Sequence, residues 1–170
     1  MRLLNSSIAI IAAISMASSA TAATQEQCVT EDESAAIFAA MLPDLIDGLR
    51  DKCGAHLRAN SYLPGNADVL IARYKVLADQ RWPTAKLAFG RMVGQEDMAD
   101  KLPDEFFRPL LGAMVGSELV KDIKTQDCNG ADRIVESLAL LPPENVAVLI
   151  GAILVLAGND DDDDFQICKA

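Results

Sequence analysis

From Val146 to Ala157 the chain carries twelve consecutive residues without a polar side chain. As a helix that run rises about 18 Å, short of the roughly 20 residues a bilayer span requires. Pro143 suits a first helical position, Glu144 favours the positive helix start, and Gly158 suits the left-handed stop. The pattern predicts a helix over 142–158, apolar all round. It is read as the central core helix, with Leu149, Ile150, Ile153 and Leu154 almost wholly buried.

Elsewhere the apolar positions recur at spacings of three and four, the signature of helices buried on one side. Thr30 and Glu33 form a capping box that opens a helix carrying Ile37, Phe38, Met41 and Leu42. Pro43 is expected to break or kink it. Leu45, Ile46, Leu49, Cys53 and Leu57 mark a second segment, and 60–66 reads as loop. Asn66 is a candidate cap for a helix over 67–81, with Leu70, Ile71, Tyr74, Leu77 and Ala78 inward. Trp82-Pro83 is expected to end it, and Thr84 to cap another helix reaching Val93.

The polar stretch 94–102 reads as a mobile connection. Pro103 starts a turn of helix that Pro109 restarts, with Leu110, Leu111, Met114, Val115, Leu119 and Ile123 inward. Gly112 and Gly116, four apart, predict a close helix–helix approach. Residues 131–141 form a further helix carrying Ile134, Val135, Leu138 and Leu141, and Pro142-Pro143 turns the chain into the apolar run.

No alternating stretch argues for a strand. The fold class is therefore all-α, an irregular or orthogonal bundle of six or seven helices joined by short connections. One internal likeness stands out: Pro64, Asn66 and Val69-Leu70-Ile71 match Pro143, Asn145 and Val148-Leu149-Ile150 at an offset of 79. Two core helices with proline starts account for it without a duplication.

Composition changes the picture in two ways. Met1-Arg2, the apolar run from Ile8 to Met16 and Ala20-Thr21-Ala22 have the pattern of a secretory signal peptide over 1–22. That leaves one helical domain over 23–170, exported to a periplasmic or extracellular space, with no membrane span in the mature chain. Loss of the leader removes only Arg2 and leaves 14 basic against 25 acidic residues, a formal charge of −11. So acidic a chain disfavours nucleic-acid backbones and anionic membranes.

Cys28, Cys53, Cys128 and Cys168 are an even set in an exported chain and read as two disulfides. If the helices fold back at Pro43 and at Pro142-Pro143, the pairing is Cys28–Cys53 with Cys128–Cys168. The rival is Cys28–Cys168 with Cys53–Cys128.

Catalytic signals are absent. The lone histidine, His56, reads as a helix-end residue, and no serine elbow, nucleotide loop or haem attachment motif occurs. The run of five aspartates at 160–164 lacks the alternation and closing glutamate of a calcium loop and reads as a solvated connector. No catalytic, cofactor or metal residue is assigned. The reading is an exported, non-catalytic binding or chaperone-like module for a protein partner or a small apolar ligand. The alternative is a carboxylate-based hydrolase, which needs two acidic side chains converging in a cleft.

Overall fold

The computed structural model describes residues 28–157 together with Cys168; the leader over 1–22 and the aspartates 160–164 lie outside them. Six α-helices and two short 3-10 turns make up the described chain. They are α1 (Glu31–Cys53), α2 (Tyr62–Met92), α3 (Glu96–Lys101), α4 (Asp104–Lys121), α5 (Cys128–Ala139) and α6 (Pro143–Ala157). The all-α bundle with two disulfides is as expected. Its centre is not.

α1 is the central helix. It packs against α2, α4, α5 and α6, and twelve of its 23 residues are buried. Its capping box forms as the sequence predicts: Glu33 N donates to Thr30 Oγ1 at 3.3 Å, and Thr30 N donates to Glu33 Oε2 at 2.9 Å. Pro43 does not break it. A mid-helix proline costs about 3 kcal/mol in lost bonding and crowding. Here Pro43 is itself buried and the helix is held on several sides, so packing offsets that cost.

Pro83 in α2 and Pro109 in α4 are exposed, and they interrupt neither helix. The small residues Ala36, Ala39 and Ala40 let the neighbours come close. A Cβ on Gly151 of α6 would lie 3.1 Å from the Ala35 backbone nitrogen. One on Gly112 of α4 would meet the Asp44 carboxylate.

α2 begins five residues earlier than its sequence suggests. Its cap comes from another helix: the buried Asp132 of α5 accepts from Tyr62 N at 3.1 Å and from Leu63 N at 2.7 Å. Pro64 is then a third helical residue, where a missing N–H costs nothing, whereas Pro143 is a first one. The likeness at offset 79 is therefore not a likeness of helix starts.

α2 ends on a Schellman motif: Gln95 N donates to Gly90 O at 2.8 Å and Gly94 N to Arg91 O at 3.0 Å, with Gly94 at φ 65°. The stretch expected to be a mobile connection instead forms α3, whose buried Ala99 packs on Gly90.

The disulfides take the rival connectivity. Cys28 pairs with Cys168 and Cys53 with Cys128, at Cα separations of 4.9 and 5.4 Å. The preferred pairing fails because α1 is continuous. Its 23 residues span about 34 Å, which separates Cys28 from Cys53 far beyond the roughly 4.4–6.8 Å a disulfide allows. Cys53 instead fixes the end of α1 to the start of α5. Cys168 returns to the start of α1, where its N–H donates to Val29 O at 3.0 Å.

Candidate functional site

α6 is not the buried core helix its sequence predicts. Val146, Ala147 and Gly151 are buried and Ile150 is half-buried. Leu149 and Ile153 remain 44% and 53% exposed, and Leu156 is 77% exposed. The side chain of Leu154 lies outside the described residues. α1 occupies the centre and takes one face of α6, leaving the opposite face uncovered. On α5 and α4, likewise, Ile134, Leu110 and Leu119 are exposed rather than inward.

Between α1, α2, α5 and α6 the stripes do not close completely. They leave a cavity of about 380 Å³. α1 supplies Leu42, Leu45, Ile46 and Leu49, and α2 supplies Leu70 and Tyr74. α5 adds Ile134, Val135 and Leu138, and α6 adds Val146, Leu149, Ile150 and Ile153. Leu42, Ile46, Leu70, Tyr74 and Val146 are buried and form the floor, whereas Ile134, Leu149 and Ile153 stand at the mouth. No lining side chain is charged, and only Tyr74 has a polar atom. Burial raises the Tyr74 phenol above its ordinary pKa, so it stays neutral at physiological pH. Such a wall offers nothing for proton transfer or metal ligation. What it can do is remove apolar surface from water, at roughly 25 cal/mol per Å².

A second concavity, wider and shallower, lies between α1 and α4 and has a volume of about 720 Å³. Asp44, Asp47 and Asp51 line it with Gly112 and Pro109. Partial burial raises the pKa of Asp44, and the neighbouring Asp47 adds to the effect, although Arg108 and Lys75 oppose it. Asp47 and Asp51 both form ion pairs with Arg50, the latter at 3.7 Å, and Arg50 also reaches Asp68 at 2.5 Å.

The four cysteines serve as staples, and His56 is exposed on a 3-10 turn. Among the described residues no group of three or more His, Cys, Asp or Glu side chains could hold a metal ion. No helix among them is long and apolar enough to cross a membrane. The chain matches no protein-family model, no curated protein and no solved structure.

Proposed function

We propose that the protein is an exported, non-catalytic binding module that takes an apolar group into the cavity between α1, α2, α5 and α6. The observation that carries this reading is a cavity of about 380 Å³ without a charged wall residue, opening beside exposed Ile134, Leu149 and Ile153. Its size and lining fall within the range of small-ligand sites. The leader pattern supports export, as do two disulfides, which persist in oxidising compartments.

Fluorescence titration with N-phenyl-1-naphthylamine tests the binding. The dye should bind one to one, and Ile134→Asn and Ile153→Asn should each weaken it several-fold without unfolding the chain, because both positions are already half exposed. Phe106→Asn, an exposed apolar position on α4, should leave it unchanged. Equal weakening by all three changes, or no binding, would overturn the reading.

The hydrolase remains the second reading, favoured by the raised pKa of Asp44 in the α1/α4 groove. It ranks second because Asp47 is committed to Arg50 and no aromatic side chain lines the groove. Glycosidase activity lost in Asp44→Asn with the fold intact would reverse the order.

A further inference from the structure

Three features of the cavity restrict its occupant, given that it binds an apolar group at all. The first is size. At about 30 Å³ for a water-sized group, 380 Å³ admits roughly a dozen such groups, enough for one aliphatic chain and too little for two. The second is the lack of hydrogen-bonding partners. A peptide segment would bring backbone N–H and C=O groups into a wall that cannot satisfy them, at a cost of a few kcal/mol each. An aliphatic chain brings none.

The third is the charge at one edge. The chain is strongly acidic, and Arg50, Arg81, Arg91 and Arg108 are each paired with a carboxylate. Arg73 differs. Its Nη2 donates to the carbonyls of Ala139 at 2.9 Å and Leu141 at 2.8 Å. No carboxylate pairs with it among the described residues. These contacts place the guanidinium at the cavity's α5 edge: Ala139 follows the wall residue Leu138, and the charge lies 5.7 Å from the ring centroid of Tyr74, another wall residue.

We propose that the ligand is a single-chain amphipathic anion of the fatty-acid type, its aliphatic tail in the cavity and its carboxylate on Arg73. The inference rests on the binding reading above and adds the chemistry of the head and the number of tails. Arg is suited to the head because its planar fork offers several donors to one carboxylate.

The test is calorimetry of the full mature chain with three twelve-carbon probes below their micelle concentrations: dodecanoate, dodecanol and dodecyltrimethylammonium. Dodecanoate should bind one to one and at least about tenfold more tightly than dodecanol, with the ammonium weakest. Arg73→Gln should reduce dodecanoate to the level of dodecanol, and Arg73→Lys should retain most of the difference. The probe series on the unaltered protein decides the matter even if Arg73→Gln misfolds. Equal affinity for all three probes would remove the anionic head while leaving the apolar cavity as the binding site. Binding of the naphthylamine dye but of none of the three chains would remove the aliphatic ligand alone. A concentration-dependent dimer that dodecanoate does not dissociate would assign the mouth to a second copy and overturn the proposal.

Discussion

Asp132→Ala should be among the most damaging single changes outside the apolar core. The carboxylate is 6% exposed and accepts two backbone N–H groups, Tyr62 at 3.1 Å and Leu63 at 2.7 Å, from a helix 70 residues away in sequence. Ser61, the residue in the cap position, makes no capping bond with its own side chain. Losing a helix cap costs about 0.5–2 kcal/mol. Leaving a buried donor without a partner adds about 1–3 kcal/mol, and Leu63 is fully buried. The expected loss is therefore about 2–4 kcal/mol, a large part of the stability of a small domain. Urea denaturation followed by circular dichroism measures it, with an unchanged m-value showing that the native state persists. Asp132→Asn keeps one acceptor oxygen and should cost about half as much. Hydrogen exchange should quicken first at the start of α2. A loss below about 0.5 kcal/mol for the alanine change would refute the idea that α5 caps α2.

Other outcomes follow from the same structure. Non-reducing peptide mapping should yield Cys53–Cys128 and Cys28–Cys168 peptides, and replacing the first pair by alanine should cost about 4 kcal/mol for its 75-residue separation; a Cys28–Cys53 peptide would contradict a continuous α1. Leu149→Ala should cost about 1 kcal/mol or less, because the side chain is 44% exposed, whereas Leu63→Ala, fully buried on α2, should cost about 2–5 kcal/mol; equal costs would mean α6 is a core helix after all. Burial alone would raise the pKa of Glu33, but its bonds to Arg91 and Thr30 outweigh that and hold it below its ordinary value of 4.5. Its contribution to stability is thus present above pH 4.5 and lost as the pH falls through the lower folded-state value; Glu33→Gln should flatten that acid limb of the melting profile, and an unchanged limb would refute the assignment. Asp44 has the opposite sign: its folded pKa is raised, so ionisation works against the fold above pH 3.8, and Asp44→Asn should leave the neutral-pH melting temperature unchanged or higher; a marked fall would contradict this.

The one-sided stripes were legible in the sequence. Leu70, Tyr74, Leu77 and Ala78 are buried as their spacing predicts, and Thr30 and Glu33 form their capping box. The cavity wall is built from those same stripes, so its residues were in view before their arrangement was. What local reading could not supply was tertiary compensation. Pro43, expected to break or kink a helix, Pro83, expected to end one, and Pro109, expected to restart one, all lie inside continuous helices, and at the buried Pro43 packing outweighs the local penalty. That single error reversed the disulfide pairing, since the reach from Cys28 to Cys53 depends on Pro43. The start of α2 was misplaced because its cap lies on α5, at a distance no sequence window covers. The uniform apolarity of 146–157 suggested burial on every side. Composition cannot distinguish a helix enclosed by protein from one that leaves a face exposed, and Ile153, 53% exposed at the cavity mouth, is where the two differ.

Methyl-resolved NMR of the isoleucines during addition of dodecanoate tests the cavity most directly. Ile46 on the floor, Ile150 on the α6 wall and Ile134 and Ile153 at the mouth should shift together and saturate at one equivalent. Ile37, in the separate apolar cluster with Trp82 and Phe107, should remain in place. Saturable shifts confined to those four residues are the predicted result. Shifts elsewhere with all four methyls unchanged, or a shift at Ile37 as large as theirs, would contradict the cavity as the binding site.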